Sequence, residues 1–304
     1  QFDYQSCLCY LQVNFMNQIN LFIELIRLKK PIGFMLLFWP CAWGLTIAYD
    51  FAGELRTYIF YLTLFLSGSI LMRSAGCIIN DIADKEFDKK VIRTKDRPIA
   101  SEKISISSGV VYSVLLCLTA LMVLIQFNEL TIFLALISMP LAFMYPFTKR
   151  FTYWPQLFLG VTFNYGLLLG WTSVTNDILD LIPFILYFGA IFWTLGYDTI
   201  YGYQDIKDDE VIGLKSTSIK FKSNPYIFLR LCYSSLFLSL IIIGYNMEFK
   251  NIFFIMTIII FLSSLYFFTF KLNVNSSNDC LKSFRLNNFL GFLIFLTLII
   301  GKLY

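Results

Sequence analysis

The stretch NDIADKEFDKKVIRTKDRPIA, residues 80–100, is a hydrophilic interval between two long apolar runs, residues 57–79 and 106–126. Each run holds about the 20 apolar residues that an α-helix needs to cross the ~30 Å hydrocarbon core of a membrane. Of the 304 residues, 58% are hydrophobic and only 14% are charged, a balance far from that of a soluble domain. The chain is therefore predicted to be an integral membrane protein, with this interval as a loop at the membrane surface.

Apolar runs of similar length recur along the rest of the chain. Together they predict an all-α, polytopic bundle of about nine transmembrane helices, at residues 31–49, 57–79, 106–126, 130–147, 155–175, 181–203, 225–246, 251–270 and 286–303. The boundaries are expected to be accurate to about 4 residues. We expect a single transmembrane domain over residues 23–304. The tail before it, residues 1–22, is interpreted as including sequence upstream of a true start at Met16.

Basic residues are distributed unevenly between the two predicted sides of the membrane. Most Lys and Arg residues fall in the loops of one side, whereas only Arg56, Lys250 and Lys302 lie on the other. Positive loops face the cytoplasm or the mitochondrial matrix, so the N-terminus is predicted to face that side. The net charge of +4 thus indicates topology and not nucleic-acid binding. Because the N-terminal residues resemble neither a signal peptide nor a transit peptide, we expect a bacterial inner membrane, with the mitochondrial inner membrane as the alternative.

The chain contains no histidine. This excludes Ser-His-Asp and Cys-His nucleophilic catalysis, His-ligated haem and most zinc sites. The seven cysteines form no CxxC pair, and we interpret them as small buried hydrophobic residues. Any chemistry must therefore rely on carboxylates, amides, Tyr, Lys and Arg.

The carboxylates of the 80–100 interval have a spacing that would bring them together on a helix. If the preceding span continues as a helix, Asp81, Asp84 and Asp88 share one face at i, i+3 and i+7, with Asn80 on its flank. Like charges at this spacing repel one another unless a cation neutralises them. Oxygen ligands of this kind suit Mg²⁺, which proteins commonly hold together with substrate phosphates. The alternative is a solvated loop in which the acids pair with the neighbouring lysines.

A second acidic stretch, GYDTIYGYQDIKDDEVIGLKSTS at residues 196–218, has a similar pattern. Asp198, Tyr201, Asp205 and Asp209 share a helical face at i, i+3, i+7 and i+11. A further carboxylate, Asp208, lies beside this face. In the predicted topology both acidic stretches lie at the basic ends of their helices. Asp198 lies deepest, where an unpaired carboxylate is costly, so a partner or a polar cavity is implied.

Two facing acidic helices surrounded by Lys and Arg are suited to binding a diphosphate bridged by magnesium. The bundle around them is apolar. A substrate that is anionic at one end and hydrocarbon over the rest of its length fits this environment, and a prenyl diphosphate has that chemistry.

Four stretches of the chain resemble the UbiA superfamily of intramembrane aromatic prenyltransferases. Residues 72–105, MRSAGCIINDIADKEFDKKVIRTKDRPIASEKIS, are similar to the first family signature, NDxxDxxxD, and residues 198–218 are similar to the second acidic signature. RLKKPIGFMLLFWPCAWG at 27–44 and YPFTKRFTYWPQLFLG at 145–160 are also similar to family segments. The sequences of these four stretches are most similar to the branch of the family that prenylates 4-hydroxybenzoate in ubiquinone biosynthesis.

The resemblance implies nine helices around a central cavity, with Mg²⁺ between two facing aspartate motifs. It implies an enzyme that transfers a polyprenyl group from polyprenyl diphosphate to 4-hydroxybenzoate. The new bond forms at the ring carbon ortho to the hydroxyl, and diphosphate is released. Magnesium and cationic side chains stabilise the leaving diphosphate while the allylic fragment develops cationic character.

The resemblance also implies roles for individual side chains. The expected magnesium ligands are Asn80, Asp81, Asp84 and Asp88 on the first motif and Asp198, Asp205, Asp208 and Asp209 on the second. The expected catalytic residues are Arg73, Tyr145, Tyr201 and Asp198, and the expected diphosphate contacts are Arg93, Arg97, Lys149 and Lys215. Each base and tyrosine also has an ordinary interpretation as an interfacial side chain of a membrane protein.

Other functions remain open at this point. A family member could prenylate a different acceptor, such as haem, a naphthoate or a chlorophyllide. A cation-coupled transporter also carries aspartates in membrane helices, but they are expected near the bilayer midplane, whereas most of these lie at one interface. A binding or structural membrane protein would tolerate loss of any of the aspartates.

Overall fold

The structure is a computed structural model that describes residues 17–303. Within that range its secondary structure consists of helices joined by loops, with no β-strand. Nine long helices follow one another within the described residues: α1 (Ile32–Ala48), α2 (Leu55–Ala83), α3 (Ile106–Leu124), α4 (Glu129–Thr148), α5 (Pro155–Thr175), α6 (Leu181–Gly202), α7 (Pro225–Asn246), α8 (Asn251–Leu265) and α9 (Ser277–Leu303). Three short helices lie in the loops, at Lys85–Asp88, Ile206–Ile212 and Thr217–Lys220.

The predicted all-α membrane bundle is confirmed. Within residues 17–303, eight helices are long and apolar enough to cross a membrane when α8 is counted with its π-helical extension Tyr266–Phe270, and the apolar α1 is shorter, at 17 residues. The predicted start of the last span, residue 286, is wrong by more than two helical turns, because α9 begins at Ser277. Hydropathy marks the apolar part of a helix, and the first turns of α9 are polar.

Side chains of the loops define where several helices begin. The side chains of Ser105, Asn128 and Asp180 accept hydrogen bonds from backbone N–H groups in the first turns of α3, α4 and α6. Helices α5 and α7 begin at Pro155 and Pro225, where the missing N–H is not needed. The three polar caps satisfy backbone N–H groups that the hydrocarbon region could not, and the two prolines remove one such group each.

Helix α1 lies at the centre of the bundle and packs on α2, α5 and α9. Its contact with α5 depends on small residues. A Cβ added at Gly170 would collide with the Cys41 carbonyl oxygen, and one at Gly44 would collide with the Leu167 carbonyl oxygen. The GLLLG sequence at 166–170 is therefore a site of close helix packing.

Replacing Gly170 by Ala is expected to destabilise the protein by about 1–3 kcal/mol, because the two backbones must separate to accommodate the methyl group. The measurement is the thermal unfolding midpoint of detergent-purified protein. Gly68→Ala is the matched control, since Gly68 is also helical and a Cβ there meets no heavy atom within 4 Å. Equal midpoints for the two variants would contradict the close-packing interpretation.

The predicted boundary between an N-terminal tail and the domain, at residues 22 and 23, lies inside a helical segment at 17–25. Leu25 and Ile26 at its end pack on Ile78 and Ile99, beside the acidic interval. The boundary itself stays a prediction, and residues 1–16 of the tail lie outside the described residues.

Candidate active site

A cavity of about 1110 Å³ opens inside the bundle. Side chains from α1 to α6 and from α9 line it, together with the loops that follow α2 and α6. One end holds the two acidic stretches, and the remainder is lined mainly by apolar side chains such as Phe65, Leu121 and Met139. The cavity therefore combines a charged end with a long apolar chamber, as a ligand with an anionic head and a hydrocarbon tail would require.

The first acidic motif does not form the single helical face that was predicted. Helix α2 ends at Ala83, Asp84 follows with φ −100° and ψ 3°, and Lys85–Asp88 forms a separate helical turn. Within residues 17–303, no three carboxylates lie close enough to hold one ion by themselves. The single continuous helical face is therefore wrong, whereas the binding of one cation by Asp81, Asp84 and Asp88 stays a prediction.

Each carboxylate of the first motif is paired with a base. Arg97 Nη1 donates to Asp81 at 3.2 Å and to Asp88 at 2.8 Å. Arg27 also donates to Asp81, and Lys149 donates to Asp84. The amide of Asn80 donates to Asp84 Oδ2 at 3.1 Å, so this amide supports a carboxylate in addition to presenting its own oxygen. Among the described residues, none of the neighbouring lysines pairs with these three aspartates. Arg97 comes from the same interval, whereas Arg27 and Lys149 come from distant parts of the chain.

The second acidic motif is also divided between two helices. Helix α6 ends at Gly202, and Asp205 precedes the short helix Ile206–Ile212. The predicted continuous face is therefore wrong, although Asp198, Asp205 and Asp209 all line the cavity. Asp208 is not among the cavity-lining residues, because the rotation of the short helix directs its neighbour Asp209 to the cavity instead.

Arg93 connects the two motifs directly. It lies in the loop after the first motif, and its Nε donates to Asp205 Oδ1 at 2.8 Å while its Nη2 donates to Oδ2. Its Nη1 donates to the Tyr201 hydroxyl at 3.0 Å, and the guanidinium lies 5.4 Å from the centre of the Tyr201 ring. A bidentate pair of this kind fixes both distance and orientation. The predicted facing of the two acidic stretches is thus confirmed.

The loop carboxylates are held in surroundings that favour a bound cation. Burial raises the pKa of the Asp84 carboxyl above its ordinary value, and the Lys149 ammonium opposes this rise. Burial, together with the neighbouring Asp205 carboxylate, raises the pKa of Asp209 to about 6. A positive charge arriving between the motifs would lower both pKa values and be stabilised in return.

The residues fit a magnesium ion that arrives with a phosphate group. Asp84 Oδ1 is buried and has no hydrogen-bond partner, and among the described residues none donates to Asp198. Both are hard oxygen donors at the charged end of the cavity. Phosphate oxygens and water would complete the coordination of an ion held by these carboxylates.

The structure places the other predicted residues at the cavity in different ways. Arg73 lies deeper than the acidic motifs, with its guanidinium 5.4 Å from the centre of the Phe163 ring. Tyr145 lines the same region from α4. Lys215 also lines the cavity, but its Nζ donates to the Phe151 carbonyl oxygen at 3.3 Å, which leaves it less available to a ligand.

Arg27 was not among the site residues predicted from the sequence. Its side chain reaches Asp81, 54 positions away, from a residue with φ 55°, in the left-handed region that non-glycine residues seldom adopt. No spacing rule could have found this contact, since Arg27 precedes α1 and Asp81 lies near the end of α2. The one available signal was its position at the start of RLKKPIG, a segment already noted for its family resemblance.

Comparisons with known proteins agree with this architecture. The profile of the UbiA prenyltransferase family matches residues 37–296. Over 282 residues the chain is 40% identical to 4-hydroxybenzoate polyprenyltransferase, mitochondrial, of Bos taurus, covering 93% of this chain and 75% of that protein. It is 35% identical to 4-hydroxybenzoate octaprenyltransferase of Coxiella burnetii, covering 95% and 98%. It is 47% identical to the Caenorhabditis elegans mitochondrial polyprenyltransferase over 199 residues, which span 66% of this chain and only 55% of that protein.

Solved structures share the fold. A UbiA homolog from Aeropyrum pernix K1, in its apo form, superposes with a TM-score of 0.71 at 20% identity, covering 88% of this chain and 97% of that one. A UbiA homolog from Archaeoglobus fulgidus bound to GPP and Mg²⁺ has a TM-score of 0.69 at 16% identity, covering 92% and 99%. The family profile spans most of the described helices, including those that carry the two divided acidic motifs and line the cavity. This chain therefore belongs to the UbiA prenyltransferase family.

Proposed function

We propose that this protein transfers a polyprenyl group from polyprenyl diphosphate to the ring carbon ortho to the hydroxyl of 4-hydroxybenzoate, releasing diphosphate. The observation that carries the proposal is the joining of two acidic motifs, with their bases, at one end of an otherwise apolar cavity within a membrane bundle. Sequence identity of 35–40% over more than nine tenths of the chain to 4-hydroxybenzoate prenyltransferases supports the choice of acceptor.

The charged end of the cavity binds the diphosphate in this proposal. Magnesium, when bound, would neutralise the charge that accumulates on the leaving diphosphate. Asp84 and Asp198 are the first candidates to hold it, because neither carboxylate is fully taken up by protein donors. Asn80, Asp81, Asp88, Asp205 and Asp209 surround the same end of the cavity and complete the proposed ligand set.

Bases now paired with these carboxylates are proposed to contact the diphosphate. Arg97, Lys149 and Arg93 each lie at the cavity and carry more than one donor N–H. When phosphate oxygens and the metal enter, these bases can turn part of their hydrogen bonding from carboxylate to phosphate. They then hold the leaving group in position while its bond to the allylic carbon weakens.

Residues just inside the charged end are proposed to act on the reacting carbons. The ring of Tyr145 lines this region and can stabilise an allylic cation through its π-face. Arg73, in α2, makes no ion pair with a carboxylate among the described residues, so it is available to the carboxylate of the aromatic acceptor. The apolar chamber beyond them excludes water, which would otherwise capture the cation.

The uneven distribution of basic loops supports a definite orientation. The charged end of the cavity lies at the basic ends of the helices, so we place it on the cytoplasmic or matrix side. The relatives named above include a bacterial and a mitochondrial protein, and the inner membrane of either is a suitable location.

Membranes containing the protein are expected to convert radiolabelled 4-hydroxybenzoate and a polyprenyl diphosphate into a lipid-soluble product only when Mg²⁺ is present. Chelation by EDTA should lower the rate by at least about 100-fold, because several kcal/mol of charge stabilisation are lost. Adding excess Mg²⁺ should restore it. A rate unaffected by EDTA would refute the metal assignment. Product with a naphthoate and none with 4-hydroxybenzoate would reassign the acceptor, and ion flux without product would favour a transporter.

A further inference from the structure

Apart from Lys215, the end of the second signature, the sequence GLKSTS at 213–218, has no part in the proposed chemistry. After Gly202 the chain leaves α6, carries Asp205 and Asp209 over the cavity, and returns at the short helix Thr217–Lys220. Thr217 is fully buried and is not among the cavity-lining residues. A buried threonine hydroxyl group therefore lies where this acidic loop rejoins the membrane helices.

Three hydrogen bonds join this end of the loop to the membrane helices. The hydroxyl groups of Thr199, in α6, and Thr217 are 2.6 Å apart, and the Ser218 hydroxyl donates to the Thr199 carbonyl oxygen at 2.8 Å. The backbone N–H of Thr217 donates to Gln156 Oε1, in α5, at 3.0 Å. These side chains are all buried, and fully paired buried polar groups fix a single arrangement of the chain.

The other arm of the loop is attached to the first acidic motif. The backbone N–H of Lys215 donates to the Lys149 carbonyl oxygen at 3.0 Å, and the Lys149 side chain donates to Asp84. The loop is thus tied to α5 and α6 on one side and to the end of α4 on the other. Movement of the Thr217 end of the loop would shift Asp205 and Asp209 relative to Asp84.

We propose that Gln156, Thr199 and Thr217 form a polar clasp that positions Asp205 and Asp209 for binding diphosphate. Gln156 lines the cavity, whereas Thr199 and Thr217 lie outside its lining and do not contact the substrate. This inference rests on the proposed function, since it assigns the clasp to the diphosphate site. The two threonines are positioning residues. Outer contacts of this kind typically affect affinity or turnover by 10–100-fold when removed, although they touch no reacting atom.

The test is Thr217→Val in the full-length protein, which removes the hydroxyl group, keeps the shape of the side chain and preserves the N–H that donates to Gln156. We expect kcat/KM for polyprenyl diphosphate to fall about 10–100-fold. The KM for 4-hydroxybenzoate should be unchanged, and so should the thermal midpoint, because single hydrogen bonds contribute little to the stability of membrane bundles. Thr217→Ser, which keeps the hydroxyl group, should recover most of the loss.

Thr257→Val is the matched control. Thr257 is also fully buried in a membrane helix, and its hydroxyl donates to the Phe253 carbonyl oxygen at 2.8 Å, but it lies in α8, outside the cavity lining. The same removal of a buried hydroxyl should leave its kinetics within about twofold of the unsubstituted protein, a change of under half a kcal/mol.

Magnesium-dependent binding of inorganic diphosphate, followed by calorimetry, gives a readout that is independent of turnover. Thr217→Val should weaken this binding while Thr257→Val does not. Normal binding and turnover by Thr217→Val would overturn the clasp, as would a lower thermal midpoint with unchanged kinetics per folded molecule. If the unsubstituted protein neither binds diphosphate nor forms product, the proposed function fails first and the clasp fails with it.

Discussion

Asp198→Asn is expected to reduce prenyl transfer by roughly 10²–10³-fold, the usual effect of removing a charged group that stabilises a transition state. Asp198 lines the cavity from α6, and no described residue donates to it, so its negative charge is available to a magnesium–diphosphate complex. Asparagine keeps the size of the side chain and removes that charge. The measurement is the initial rate of product formation by purified protein at saturating substrates.

The protein should remain folded in this variant. Among residues 17–303 Asp198 forms no salt bridge, and its charged neighbour Arg73 also contacts the Phe163 ring, so the thermal midpoint should change little. Asp279→Asn is the control, since Asp279 is a half-buried carboxylate at the start of α9 on the same side of the bundle, outside the cavity lining. Full activity of the Asp198 variant would remove this residue from the proposed site.

Arg97→Gln is expected to destabilise the protein by about 3–5 kcal/mol when magnesium is absent. Arg97 donates to both Asp81 and Asp88, and these carboxylates are only 2% and 7% exposed. Removing their shared base leaves two like charges buried together, of which only Asp81 retains another partner, Arg27. The thermal midpoint without Mg²⁺ should therefore fall by roughly 6–12 °C.

Added Mg²⁺ without diphosphate should raise the midpoint more in Arg97→Gln than in the unsubstituted protein, because the cation replaces the positive charge lost beside Asp81 and Asp88. Arg150→Gln is the matched control. Arg150 is exposed in the loop after α4 and donates to the Ala83 carbonyl oxygen at 2.8 Å. No carboxylate of residues 17–303 pairs with it, so the midpoint of this variant should change little. An unchanged midpoint for Arg97→Gln would show that Asp81 and Asp88 do not depend on Arg97.

Hydropathy predicted the membrane helices well because each apolar run is long and ends in charged or capping residues. It failed at α9, where polar turns before residue 286 belong to the helix although they do not belong in hydrocarbon. The acidic spacing likewise predicted which residues meet, but it assumed continuous helices. The breaks after Ala83 and Gly202 changed the direction of the carboxylates, and they left Asp208 outside the cavity lining.

The sequence alone determined the all-helical membrane fold, its approximate spans and the joining of two acidic motifs at one end, because hydrophobicity and local spacing act along the chain. Only the tertiary structure decided the pairing of charges. Arg27 meets Asp81, Arg93 meets Asp205, and Thr217 meets Thr199 through contacts between separate helices and loops. Burying a charge or a hydroxyl group is favourable only with a partner in place, and the packing of the whole bundle selects that partner.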